Sequence, residues 1–340
     1  MPTALLTAAL LASCNDASHV GNAVDALKAR EKQLAAREEA TLAHDRALIE
    51  KERQLAETAA DIAKQREELQ TLRNSLDEEI LKARRQQEAA LKREARGLAP
   101  KVQAERVMVV DASTGEVLFE KNADRKAPVA STQKLLTALL VVEDGNLDQT
   151  VTVEQGDTQC APVRLGIKTG EQYSRRQLLT ALMVKSSNDI AQALARDNAG
   201  SLESFAKKMN ARAAELGMKD SRFVNPHGLP IDGQYSTARD MARVALTVDA
   251  VPEIRRMVST KSFQFKKPDG SWIALENTNR VLRGYPYCDG MKTGYAQAAG
   301  YCLISSGEKD HHRRIVVVLS DTSQSVWKDS QALLEWSLKS

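Results

Sequence analysis

The sequence predicts an α/β (α+β) protein: an antiparallel sheet with flanking helices and a helical lobe, preceded by a long N-terminal helix. Three observations carry this expectation. Between Gly21 and Gly97 there is neither glycine nor proline. Short strand-like apolar runs gather at the two ends of the remaining chain, and helical patterns fill the space between them. Strands at both ends with helices between suggest one sheet covered by helices, with an inserted all-helical lobe. Hairpins need only short links, which favours antiparallel pairing.

The first thirteen residues, MPTALLTAALLAS, are apolar or small and uncharged. That run falls short of the roughly 20 residues a membrane-spanning helix needs, but it suits the apolar part of a signal peptide. Leu11-Ala12-Ser13-Cys14 fits the pattern at which bacterial lipoprotein precursors are cleaved and the cysteine is lipidated. Residues 1–13 are therefore expected to be a signal peptide, with Cys14 as the lipid-bearing residue and the membrane as a partner. No Lys or Arg precedes the apolar run, so an ordinary secretory signal or a misassigned start remains open.

Residues 21–97 are rich in Ala, Glu, Lys, Arg, Gln and Leu, all strong helix formers. Every seventh residue from Leu27 reads Leu27, Leu34, Thr41, Leu48, Leu55, Ile62, Leu69, Leu76, Ala83 and Ala90. Such a repeat favours a left-handed coiled coil. The second seam is mostly charged (Glu31, Glu38, Asp45, Glu52), so a weak coiled coil and a lone charged helix both stay open. About 75 helical residues would reach on the order of 110 Å. The stretch reads either as a spacer or as a stalk for a homodimer.

Gly97-Leu98-Ala99-Pro100 breaks the helix and opens a domain expected over 101–340. Val107–Val110, a turn at Asp111–Gly115 and Val117–Phe119 read as a β-hairpin. Helical patterns follow through Leu135–Leu140, Leu178–Met183 and Phe205–Leu216. Strand-like runs return at Gly290–Thr293, Tyr301–Ser305 and Ile315–Leu319, with a last helix near Ser325–Leu338.

Composition narrows the class further. The net charge of +3 supports no nucleic-acid partner. The cysteine and histidine spacings suggest no metal or cofactor, and His311-His312 reads as a solvated loop pair. Cys288 and Cys302 lie symmetrically about Tyr295, the expected centre of a hairpin. A disulfide across that hairpin and two buried free thiols are the alternatives.

The chemistry lies in three short motifs in fixed order: Ser131-Thr132-Gln133-Lys134, Ser186-Ser187-Asn188 and Lys292-Thr293-Gly294. Singly they are weak; together they form the kit of an acyl-transferring serine enzyme. Ser131 is expected to open a helix that Gly145 closes. Residues at i and i+3 share a helix face, so Lys134 reaches the Ser131 hydroxyl. A lysine is a base only when neutral, and burial beside a second cation, Lys292, can lower its pKa toward about 7–8. Ser131 N–H and Tyr295 N–H are candidates for an oxyanion hole. Ser186 could relay a proton and Asn188 hold a substrate peptide group. Gly294 would let a substrate backbone approach, while Lys292 and Thr293 could bind a carboxylate. Lys168-Thr169-Gly170 and Ser325-Val326-Trp327-Lys328 repeat the motifs out of context and read as accidental.

With these motifs, the region from about Ala104 to Trp336 resembles the serine D-alanyl-D-alanine carboxypeptidases, the low-molecular-mass penicillin-binding proteins. The match extends to Met209-Asn210, Leu216-Gly217-Met218, Phe223-Val224-Asn225-Pro226-His227-Gly228-Leu229, Asn277-Thr278-Asn279, Asp289–Tyr295 and Ala299-Gly300-Tyr301. The resemblance implies the β-lactamase/penicillin-binding-protein-like fold. It implies a periplasmic-type enzyme that acylates Ser131 with a peptidoglycan stem peptide ending in D-Ala-D-Ala and is inhibited by β-lactams. Carried over, it makes Ser131 the nucleophile, Lys134 the general base and Ser186 the proton relay. Asn188 becomes the substrate amide contact, Lys292 the electrostatic partner and Thr293 the carboxylate contact. Some relatives place an arginine just after the last strand to bind the terminal carboxylate, whereas Ser320–Gln324 holds none. Many also carry a C-terminal β-domain and an anchor helix; here the N-terminal lipid and helix are expected to take the anchoring role. A D,D-endopeptidase built on the same residues is the alternative. A β-lactamase lacks a placed deacylating acid, and a non-catalytic cell-wall stalk protein is the reading from another class.

Overall fold

The computed structural model describes residues 17–339. The signal segment 1–13 and Cys14 lie outside the described residues. The chain divides into two compact units, Met1–Glu88 and Ala89–Ser340. In the first, the helix α1 begins; it spans Ala17–Arg96 and has 80 residues. Its seven-residue stripe faces solvent, with Leu27 64%, Leu55 69% and Leu69 65% exposed. Arg53 pairs with Glu50 and Glu57 along the same helix, in the i,i+3 and i,i+4 spacing that supports an exposed helix.

The second unit begins with β1 (Arg106–Asp111) and β2 (Val117–Lys121). A 3-10 turn, Ala130–Gln133, leads into α2 (Lys134–Glu143), followed by β3 (Thr150–Thr152), α3 (Gln155–Thr158) and β4 (Gln172–Ser174). Four helices then follow, α4 (Arg175–Lys185), α5 (Asn188–Ala199), α6 (Leu202–Glu215) and α7 (Ala238–Asp249), with the shorter α8 at Pro252–Val258. The hairpin β5 (Ser262–Lys266) and β6 (Trp272–Glu276) and the short helix α9 (Arg280–Gly284) precede the last three strands. These are β7 (Cys288–Ala296), β8 (Gly300–Lys309) and β9 (His312–Asp321), closed by α10 (Ser325–Ser337).

The main sheet has the order β2-β1-β9-β8-β7, and every neighbouring pair is antiparallel. Helices cover both faces, so its central strands read as continuous apolar runs although their side chains alternate. Met108 and Val110 of β1 and Ile315, Val317 and Leu319 of β9 enter one core, which they share with α2, α4, α5 and α7. Val107, Val109, Val316 and Val318 enter the other, beneath Leu333, Leu334 and Trp336 of α10. β7 is left as an edge strand, and its outer hydrogen-bonding edge faces the cleft described below.

Several sequence expectations need correction. The strands are longer than their apolar runs, because polar residues, the exposed Glu308 and the buried Arg313 and Asp321 among them, continue the pairing. The structure adds the two-stranded pairs β3–β4 and β5–β6 and the helices α3, α7, α8 and α9; most of these are short, whereas α7 has 12 residues and buries an apolar face. The β7–β8 hairpin turns beyond Ala296, which pairs with Gly300, and not at Tyr295. Cys302 therefore opposes Gly294 and Cys288 opposes Gly307, so the two cysteines do not face one another. Both are buried free thiols whose pKa burial raises, to about 12 for Cys288 and about 11 for Cys302. His311 lies in the tight β8–β9 turn, where Asp310 and His311 both have positive φ, and His312 begins the return strand.

Candidate active site

Ser131 sits in the 3-10 turn, one residue after Ala130 at φ 49, and the α-helix proper starts only at Lys134. The turn is clamped from two sides by glycines. A Cβ on Gly294 of β7 would lie 2.9 Å from Ser131 N, 3.0 Å from Ala130 Cβ and 3.1 Å from Thr132 N. A Cβ on Gly228 (φ +88) would lie 2.0 Å from the Ala130 carbonyl oxygen. The bare edge of Gly294 thus accommodates the protein's own serine turn, a reason different from the substrate approach expected from sequence. Behind the turn, Arg106 is fully buried. It donates to the Pro128 carbonyl at 2.8 Å and to Ser320 Oγ at 3.0 Å, tying β1 to the segment entering the turn.

Lys134 is completely buried and its Nζ meets three oxygens. These are Ser131 Oγ at 2.7 Å, Asn188 Oδ1 at 2.8 Å and the His227 carbonyl at 2.6 Å. Two of the three can only accept a hydrogen bond; the serine hydroxyl can also donate. A neutral amine has two N–H bonds and one lone pair. It fits by donating to Asn188 and His227 and turning its lone pair to the Ser131 proton. Burial first, and then the charge of Lys292, push the Lys134 pKa well below its ordinary value. Lys292 is buried too, which brings its pKa down to about 7; its Nζ donates to the Thr293 carbonyl at 3.0 Å. The His227 imidazole is pushed down to about 4 by burial and the nearby Lys134 charge, so it is neutral at pH ~7.

Ser186 is the left-handed residue (φ 67) that ends α4, and it is one of the residues lining the cleft. Asn188 is the first residue of α5 and is buried. Its Nδ2 donates to the carbonyls of Ala161 (3.1 Å) and Pro162 (3.0 Å), so both amide protons are engaged. What remains for a substrate is one lone pair on Oδ1, which can accept from a peptide N–H. Asp189 holds the same loop through the backbone N–H groups of Leu165 and Gly166. Thr293 Oγ1 lies 2.6 Å from Thr278 Oγ1. Tyr295 is 56% exposed and packs on Tyr301 with ring centroids 4.4 Å apart.

These elements surround a cleft of about 330 Å³ whose lining includes Ser131, Ser186, Asn188, Thr293, Gly294 and Tyr295. Lys134 and Lys292 lie behind it. All eight residues selected from sequence within the domain therefore converge, from the 3-10 turn, the α4–α5 junction and β7. Sequence reasoning missed the roles of His227, Arg106 and Thr278. The Gly after His227 was the only local signal, since the carbonyl that meets Lys134 is a backbone group that any residue carries. Of the two stray motifs, Lys168-Thr169-Gly170 forms a turn before β4, where the Glu171 carboxylate accepts the Lys168 N–H. In the other, Ser325 caps back onto Asp321 and Thr322, yet Val326 and Trp327 form part of the cleft wall.

Comparison with known proteins agrees with this geometry. The chain is 34% identical over 221 residues to the D-alanyl-D-alanine carboxypeptidase DacF of Bacillus subtilis, covering 64% of this chain and 57% of that protein. It is 34% identical over 202 residues to a D-alanyl-D-alanine endopeptidase of Pseudomonas aeruginosa, covering 58% and 64%. It thus spans about three fifths of the length of these relatives. The crystal structure of the Streptomyces K15 DD-transpeptidase superposes with a TM-score of 0.68 at 29% identity, over 71% of this chain and 99% of that one. The family profile described as D-alanyl-D-alanine carboxypeptidase, peptidase S11, matches residues 93–323, and the chain belongs to that family.

Proposed function

We propose that this protein is a serine D,D-carboxypeptidase that removes the terminal D-alanine from peptidoglycan stem peptides and is acylated by β-lactams. The observation that carries the reading is the 2.7 Å contact between Ser131 Oγ and a buried Lys134 amine whose other two partners can only accept. Lys134 takes the Ser131 proton as Oγ attacks the penultimate D-alanine carbonyl. The backbone N–H groups of Ser131 and Tyr295 stabilise the oxyanion. Ser186 relays to the departing D-alanine nitrogen the proton that Lys134 took, so the C–N bond breaks and Lys134 is neutral again. Lys134 then activates water against the ester on Ser131 in the same way. Burial, aided by the Lys292 charge, holds the Lys134 pKa down, and Lys292 attracts the substrate's negative end, which Thr293 contacts. Asn188 accepts from a substrate N–H, and Tyr295 forms the outer wall. The activity uses no cofactor.

The test is to supply purified protein with a pentapeptide and with a cross-linked peptide dimer. Release of D-alanine from the pentapeptide supports the reading. Cleavage of the dimer alone supports the D,D-endopeptidase, a reading favoured by the relative of that name. No reaction with either, and no penicillin adduct, would point to a non-catalytic stalk protein.

We further propose that residues 1–13 are a signal peptide, that Cys14 carries a lipid on the periplasmic side of a bacterial membrane, and that 21–97 separates this anchor from a catalytic domain over 101–340. The Leu-Ala-Ser-Cys sequence supports the lipid, and an 80-residue helix would span about 120 Å. Among the described residues no helix is long and apolar enough to cross a membrane. The solvent-facing leucine stripe of α1 supports a homodimer through this helix. Sedimentation of the full chain as a monomer at micromolar concentration would refute the dimer, and failure to incorporate labelled palmitate would refute the lipid.

A further inference from the structure

The end of β9 and the turn after it, Ser320–Gln324, where a carboxylate-binding arginine was expected, hold no cation. We propose that Lys185, together with Thr278, takes this part, so that the substrate's terminal carboxylate is held by the Lys185 ammonium and the Thr278–Thr293 hydroxyl pair. The inference rests on the acyl-transfer reading above and deepens it.

Three observations converge. Lys185, the last residue of α4, is one of the residues lining the cleft, is exposed, and its side chain makes no hydrogen bond or ion pair among the described residues. The other two lysines of the site are fully buried behind the wall, and the Lys134 amine already has three partners. Thr278 lines the same cleft and is tied beside Lys185, because its N–H donates to the Val184 carbonyl at 3.2 Å. Its hydroxyl touches that of Thr293 at 2.6 Å. Two hydroxyls carry two protons, and their mutual bond uses only one. The second is free to turn outward, so the pair presents one O–H donor next to one ammonium. A carboxylate has two oxygens to receive them. Arg280 is a second cation beside this wall, and its guanidinium lies over the Trp327 ring at 5.2 Å.

The experiment uses the full chain and measures, by intact mass, the rate of acylation by benzylpenicillin and by its methyl ester, which lacks the free carboxylate. The same variants are assayed for hydrolysis of an acylated D-Ala-D-Ala peptide. The wild type should react faster with the acid. Lys185→Gln should slow acylation by the acid about five- to tenfold, the scale of one partly solvated charge-assisted contact. It should leave the ester rate unchanged, and Lys185→Arg should restore the preference. Thr278→Val should reduce the preference in the same direction. A merely structural role for Lys185 would slow both compounds alike and overturn the proposal. So would an unchanged preference in Lys185→Gln, or its collapse in Arg280→Gln instead. A Lys185-dependent preference for the acid with no peptide hydrolysis would sustain the subsite and refute the carboxypeptidase.

Discussion

Replacing Gly294 by alanine adds one methyl group at the point where β7 meets the serine turn. The new Cβ would lie 2.9 Å from Ser131 N, 3.0 Å from Ala130 Cβ and 3.1 Å from Thr132 N. Carbon and nitrogen atoms in ordinary contact sit about 3.5 Å or more apart. All three clashing atoms are backbone atoms or a Cβ, so no flexible side-chain end can swing away. Relief requires the strand and the turn to part by about 0.5–1 Å, against the second clamp at Gly228. Overpacking of this kind costs about 1–3 kcal/mol. A displacement approaching 1 Å of the attacking oxygen costs about 100-fold in rate. The assay is the second-order rate of penicillin acylation, followed by intact mass, alongside thermal unfolding. Gly284→Ala, whose Cβ would meet nothing within 4 Å, is the control and should acylate like the wild type. Gly294→Ala that remains folded and acylates within twofold of the wild-type rate would refute the clamp.

Further outcomes follow from the buried lysines. The rate should rise with pH as Lys134 loses its proton and fall above about 7 as Lys292 loses its charge. In Lys292→Arg, where the cation does not titrate, the alkaline limb of kcat/KM should move upward, and an unmoved limb would contradict the assignment. Lys134→Arg puts a larger, permanently charged guanidinium where a buried neutral amine sits and removes the base, so acylation should fall about 10²–10⁴-fold and the unfolding temperature should drop as well. Asn188→Ala removes one acceptor from Lys134 and both ties to the 161–162 carbonyls. Unmade buried bonds cost about 1–3 kcal/mol each, so both the unfolding temperature and the acylation rate should drop.

The site was legible in sequence to a greater depth than the fold around it. Ser131 and Lys134 are three residues apart, and local helical geometry alone brings them together. Lys292 could be placed beside them only through the motif order, since its approach depends on β7 packing across the 3-10 turn. The strand pairing was legible where burial on both faces produced unbroken apolar runs, as in Val107–Val110 and Ile315–Leu319. Its register was not, because a hairpin turn is set by backbone geometry. Moving the turn from Tyr295 to beyond Ala296 is what separated Cys288 from Cys302. The hydrogen-bonded amide of Asn188 and the carbonyl of His227 were equally hidden, as both depend on loops that return from distant parts of the chain. The long helix was the plainest feature, since its composition excludes both breakers over the whole stretch.

The most direct measurement of the central claim is peptide-resolved mass spectrometry of the protein after penicillin treatment. If a neutral Lys134 draws the proton from Ser131, one penicillin adduct forms, on the peptide bearing Ser131. It is lost in Ser131→Ala and barely detectable in Lys134→Arg. An adduct on any other residue, or undiminished labelling of Lys134→Arg, would contradict the account.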